Sequence, residues 1–202
     1  MAKRNLRCFL CLFLYLTVAF GFCGIVSAAS GERGSTTYAS FGGHTATDGD
    51  DTVTGSRLAI GFVKPISELV SYYIEFENAK ASGTHTAGSG TKTDIESSTV
   101  ALSGGVRLSA TVSDEPEIAP FVGGGLIVQS YTYDFDYPDS ETGSTSGTGY
   151  GPQVYFGVTI RPSKRFVLRP AYHFNQVYIE SESGKKRTVT SSGLSLALVL
   201  VF

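Results

Sequence analysis

The chain has 202 residues, of which 42% are hydrophobic and only 17% charged, with 24 glycines. That composition excludes a disordered polyampholyte and disfavours a helical bundle, where so much glycine would be costly. All three cysteines precede residue 24, so the rest of the chain holds no disulfide scaffold, no cysteine-rich zinc site and no cysteine nucleophile.

Residues 1–29 place Lys3, Arg4 and Arg7 before an apolar run from Cys8 to Phe22, and small residues follow at Gly24, Ser27, Ala28 and Ala29. This order predicts a secretory signal cleaved after Ala28 or after Ala29, ahead of Ser30. The alternative is an uncleaved anchor, since Cys8 to Ala29 is long enough to span a bilayer. A lipoprotein signal at Cys23 is disfavoured by the bulky Phe22 before it. Residues 30–202 then form the single mature domain. Three of the 16 basic residues lie in 1–29, which leaves 13 against 18 acidic ones, a balance of −5. A moderately acidic exported chain has no electrostatic reason to bind nucleic acid.

After residue 30 the apolar residues recur with period two, the signature of strands with two unlike faces. Eight strands are predicted, roughly at 35–43, 52–63, 69–80, 95–111, 119–135, 150–161, 166–180 and 189–202. In 57–62, Leu58, Ile60 and Phe62 oppose Arg57, Ala59 and Gly61. In 70–77, Val70, Tyr72, Ile74 and Phe76 oppose Ser71, Tyr73, Glu75 and Glu77. In 98–108, Val100, Leu102, Val106 and Leu108 oppose small residues and Arg107. The faces of 35–43 and 119–135 stay unassigned; Gly123, Gly124 and Gly125 mark a bend or a close backbone approach. In 154–160, Val154, Phe156, Val158 and Ile160 oppose Tyr155, Gly157, Thr159 and Arg161, and in 166–174 Phe166, Leu168, Tyr172 and Phe174 oppose Arg169, Ala171 and His173. The last strand is the clearest, with Leu194, Leu196, Leu198, Leu200 and Phe202 on one face.

The connections alternate. Short Pro-bearing turns near 64–68, 113–118 and 162–165 take turns with longer polar stretches at 43–51, 81–94, 137–149 and 182–187. Short turns at one end and long loops at the other are the layout of an outer-membrane barrel. The faces point the same way. Charged and small residues suit a narrow barrel interior, large aliphatic and aromatic ones suit lipid, and Tyr131, Tyr133, Tyr150 and Tyr178 near strand ends suit aromatic girdles. The predicted fold is therefore all-β, an eight-stranded antiparallel up-and-down transmembrane β-barrel after a cleaved signal peptide. A soluble eight-stranded ligand-binding barrel is the alternative.

The export signal, the eight alternating strands, the Pro-bearing turns and the terminal stretch Leu194 to Phe202 resemble the small outer-membrane β-barrel family, which includes OmpA-type and OmpX-type domains and opacity-type porins. The resemblance implies residence in the outer membrane of a two-membrane bacterium, with outer-membrane lipids and the barrel-assembly machinery as partners, the latter reading the terminal Leu194, Leu196, Leu198, Leu200 and Phe202. It implies no activity, because members differ in their surface loops and fold alone does not give function.

Candidate chemistry is sparse. Arg57, Glu75, Glu77, Arg107, Arg161, Arg169 and His173 are expected to face the lumen as a paired charge network that fills the barrel; the alternative is a selective polar pore for small solutes. His44, near Asp48, Asp50 and Asp51, and His85 are expected to be solvated loop residues rather than metal ligands, since no fixed ligand spacing accompanies them. A lipid-hydrolysing enzyme would need a serine close to His173; Asn175 stands two residues on, and Ser195 on the next strand is the candidate. No cofactor is expected, because the glycine runs precede strands rather than a helix.

Overall fold

The structure, a computed structural model, describes residues 35–49, 51–86, 92–110, 113–114, 117–137, 140–163, 166–181 and 186–200. The expected signal segment, Ala28, Ala29 and Ser30 at its cleavage region and the terminal Phe202 lie outside them. In chain order the strands are β1 (Thr36–Asp48), β2 (Asp51–Pro65), β3 (Val70–Thr86), β4 (Lys92–Ser109), β5 (Ser113–Asp114), β6 (Glu117–Tyr137), β7 (Ser140–Ser163), β8 (Phe166–Ser181) and β9 (Lys186–Leu200). Neighbours pair in the order β4-β3-β2-β1-β9-β8-β7-β6, and a β4–β6 pairing closes the ring. All of these pairings are antiparallel. The two-residue β5 pairs with the start of β6 inside the connection from β4. The eight long strands thus form a closed up-and-down barrel with no free edge.

One rim, the turn rim, carries Thr36, Leu200 and the Ile66–Leu69 turn, which is held by the Ile66 and Ser67 amides donating to the Val70 carbonyl at 2.8 and 3.0 Å. The opposite rim, the loop rim, begins with a hairpin in which Asp48 and Asp51 pair directly. Gly49 there has φ +63°, a left-handed conformation that glycine adopts without a steric penalty. This tight turn corrects the expected loop over 43–51, because β1 runs on to Asp48. Similarly, β3 reaches Thr86 and β7 starts at Ser140, so much of 81–86 and 140–149 is barrel wall rather than loop.

Side chains alternate in and out along every long strand, but the chemistry of the two faces changes with height. Toward the turn rim the outward residues are apolar: Phe41 is 65% exposed, Leu58 55%, Ile60 51%, Leu126 68%, Phe156 55% and Leu194 67%. On β6 this band runs from Pro120 to Val128, matching the roughly 9–11 residues a tilted spanning strand needs. Toward the loop rim the outward positions become Thr52, Thr54, Lys80, Asp94, Glu96, Asp134, Glu180 and Thr188, all exposed. The inward face changes in the opposite sense. Behind the apolar band lie the buried Arg57, Glu75, Glu77, Arg107 and Arg169. Behind the polar wall lies an apolar cluster containing Val53, Ile95, Ile127, Tyr131, Tyr133, Val177, Ile179 and Val189. The expectation that large apolar side chains face outward fails in the loop-side half and holds in the turn-side half apart from an inward cluster of Val63, Tyr73, Phe121, Tyr155 and Ala171. Tyr131 and Tyr133, expected in an aromatic girdle, are 5% and 8% exposed inside the barrel, with ring centroids 5.1 Å apart. Tyr150 and Tyr178 do face outward, paired in register where the two halves meet.

The glycine triplet marks a close approach. A Cβ on Gly125 would fall 2.1 Å from the Gly104 carbonyl oxygen, and one on Gly105 would meet the Gly124 oxygen at 2.1 Å. Glycine there lets β4 and β6 curve tightly enough to close a narrow barrel. The faces left unassigned on 119–135 resolve with Phe121, Ile127 and Gln129 inward and Val122, Leu126 and Val128 outward.

Candidate functional site

The lumen of the turn-side half is the candidate site. At its centre Arg57 Nη2 lies 2.7 Å from Glu75 Oε1 and 2.8 Å from Glu77 Oε2. Their side chains are 2%, 4% and 6% exposed. Strand register explains the meeting: on β2 and β3, Arg57 pairs with Ala79 and Ala59 pairs with Glu77, so one guanidinium bridges two successive inward carboxylates. The Tyr38 hydroxyl donates to Glu75 Oε2 at 2.7 Å. His44, expected in a solvated loop, is instead an inward residue of β1, 6% exposed, with Nδ1 3.9 Å from Glu77 Oε1. The short hairpin at Gly49 is the reason, since it keeps His44 inside the barrel wall.

Nearer the turn rim, Arg107 and Arg169 are each 8% exposed. Neither is paired with a carboxylate among the described residues. Arg107 lies over the Phe121 ring at 5.3 Å and Arg169 over the Tyr38 ring at 5.8 Å. Around them Tyr73 and Tyr155 meet edge to face at 4.8 Å, and Tyr155 stacks on the His173 ring at 5.5 Å. His173 Nε2 lies 2.8 Å from Ser195 Oγ, a contact that the pairing of His173 with Gly193 across β8 and β9 brings about. The required serine is thus present beside His173, but His173 Nδ1 has no partner. Asn175 turns its amide toward Ser191 at 3.4 Å instead. Both members of the His173–Ser195 pair face the lumen, away from lipid.

Arg161 departs from expectation. It lies beyond the lumen, where the β7–β8 register shifts after Ile160, and its exposed side chain bonds Glu117 across β6 and β7. It keeps the parity of the inward Tyr155, in register with Glu117, but sits at the turn rim with its side chain 45% exposed. Leu194, Leu196 and Leu198 face outward, 67%, 53% and 42% exposed. Sequence reasoning missed Tyr38, His44 and Gln153, which are inward residues; the polar character of β1 hid the alternation of the first two, and Gln153 has the parity of Tyr155 on β7.

On the loop side, Arg187 Nη1 lies 3.0 Å from Asp48 Oδ2 across the seam of first and last strands. That hydrogen bond raises the Arg187 pKa above its ordinary value. Arg187 is charged at any working pH, so its own shift adds no pH dependence near neutrality. Among the described residues, no group of three or more His, Cys, Asp or Glu side chains could hold a metal ion.

No protein-family model matches the chain, and no curated protein sequence does either. Solved structures do. Neisserial surface protein A superposes with a TM-score of 0.59 at 15% identity, covering 83% of this chain and 97% of that one. Ail, the attachment invasion locus protein of Yersinia pestis, gives 0.51 at 12% identity, with 83% and 97% covered. The outer membrane protein OprG from Pseudomonas aeruginosa gives 0.51 at 10%, with 82% and 93% covered. The chain has the fold of these small eight-stranded outer-membrane β-barrels.

Proposed function

We propose that this chain is an integral outer-membrane protein of a two-membrane bacterium, exported by the signal in residues 1–29, which is cleaved. Its lumen is closed to solutes, and its role is structural or surface-interacting. The observation that carries the reading is the band of outward apolar side chains on the turn-side half, set against a lumen filled by buried side chains. A contiguous apolar belt of that extent is unfavourable in water and suits acyl chains. The barrel-assembly machinery and outer-membrane lipids are the implied partners. The polar wall that rises past the belt toward the loop rim is the surface open to outside contact.

The test is twofold. Detergent-solubilised protein lacking residues 1–29 should migrate differently before and after boiling, and planar-bilayer recordings should show no steady conductance steps. A mobility that boiling leaves unchanged removes the barrel reading; open, long-lived steps replace the closed lumen with a small-solute channel. A second reading, a lipid-modifying hydrolase, draws on the His173–Ser195 contact. A nucleophilic serine needs a base that is itself oriented, and His173 has no orienting partner and no exposure to lipid. We therefore read the pair as part of the polar filling; esterase activity lost on His173→Ala would reverse that.

A further inference from the structure

The buried charges of the described lumen do not balance. Three arginines, Arg57, Arg107 and Arg169, face two glutamates, Glu75 and Glu77. Both carboxylates are held by Arg57, so the positive excess sits on Arg107 and Arg169. These two repel each other. Arg107 Nε, Arg169 Nε and Arg169 Nη1 have no hydrogen-bond partner. A guanidinium stays protonated in any protein environment, and a buried cation without a counter-charge costs several kcal/mol. Both arginines line a cavity of about 30 Å³ walled also by Tyr155, His173 and Ser195. A water needs about 10–15 Å³ of such space, so the cavity has room for a small ion. Glu75 reaches the same cavity, but its two oxygens are taken by Arg57 and Tyr38.

We propose that Arg107 and Arg169 form a binding site for one small oxyanion, a free phosphate or carboxylate, inside the turn-side mouth of the barrel. A single negative charge neutralises the lumen. The fork of each guanidinium suits the oxygens of such an ion, and the Ser195 hydroxyl lies in the same wall as a further donor.

Equilibrium dialysis of folded, detergent-solubilised barrel against radiolabelled inorganic phosphate tests this, with potassium chloride, which supplies no oxyanion, fixing the ionic strength. The expected result is about one phosphate per chain, with affinity reduced tenfold or more in Arg107→Met and in Arg169→Met, and unchanged in Arg187→Met, whose arginine lies at the far rim. Competition by acetate assigns the site to oxyanions in general, and failure to compete assigns it to a phosphate-sized ion; both uphold it. No binding by the folded wild type overturns the proposal, as does equal binding by the Arg169→Met barrel. Should the methionine variants not fold, the wild type decides alone. Millimolar phosphate must then raise the temperature of its heat-induced gel shift over the same ionic strength of chloride, and no rise overturns the site.

Discussion

The two halves of this barrel are built to opposite rules on one continuous sheet. Toward the loop rim, Ile95, Val177, Ile179 and Val189 are buried inside while Asp94, Glu96 and Glu180 face out, as in a water-soluble barrel. Toward the turn rim, Arg57, Glu75 and Glu77 are inside beside a smaller apolar cluster of Val63, Tyr73, Phe121 and Tyr155, while Leu58, Ile60 and Ile74 face out. The difference shows what each solvent demands. Water rewards burying apolar surface, so the exposed half packs an apolar core. Lipid offers outward apolar groups no reason to turn inward, and the lumen beside it can be polar provided its groups find partners.

This comparison can be broken or sharpened by substitution. The largest effect is expected at Arg57. Arg57→Met strands two buried carboxylates and should cost about 3–5 kcal/mol, read from urea unfolding of the barrel refolded in vesicles. Adding Glu75→Gln and Glu77→Gln should recover much of that loss; no recovery would mean that Arg57 acts through shape rather than charge. On the other side of the boundary, Ile179→Ala should cost about 2–5 kcal/mol in the same assay, and a loss below 1 kcal/mol would deny the loop half a packed core. A charge placed on the outer wall separates the halves directly. Ile60→Arg should cost about 2–4 kcal/mol, whereas Thr54→Arg, on the same face nearer the loop rim, should stay within about 0.5 kcal/mol. Equal costs would erase the boundary. The smallest effect belongs to the partly exposed Asp48–Arg187 pair, where Asp48→Asn should cost about 0–1 kcal/mol, less at high salt.

The turn-side half was legible in the sequence because its two faces differ so sharply. Leu58, Ile60 and Phe62 against Arg57, Ala59 and Gly61 leave little choice of side. The loop-side half was not, because its outward face is Thr, Ser, Gly and Asp, the residues that also make loops. The stretches 43–51 and 140–149 therefore read as connections. A signal was present all the same. On β8 the large apolar residues Phe166, Leu168, Tyr172 and Phe174 are even, with Val167 the exception, whereas Val177 and Ile179 are odd. On β4 Ile95 is odd, while Val100, Leu102, Val106 and Leu108 are even. A strand keeps its parity of facing, so this swap marks where the surroundings change. On β6 the two sets overlap, with Ile127 beside Leu126 and Val128, and Gly123, Gly124 and Gly125, which carry no side chain to mark a face, left its faces unassigned. Of the charge network, the six lumen residues followed from alternation, and Arg161 failed because a period-two rule gives the side a residue faces and not its height along the barrel. The contact of Ser195 with His173 needed the pairing of β8 with β9, which no single strand reveals.

The measurement that bears most directly on the inversion is a cysteine scan along one wall, possible because no native cysteine follows residue 23. Single cysteines at Thr52, Thr54, Ser56, Leu58, Ile60 and Phe62, all on one face of β2, would be placed in a chain lacking residues 1–29 and refolded in vesicles. A membrane-impermeant maleimide should label positions 52 and 54 and spare 58, 60 and 62, which a lipid-borne quencher should reach instead. Uniform labelling from 52 to 62 would contradict the account.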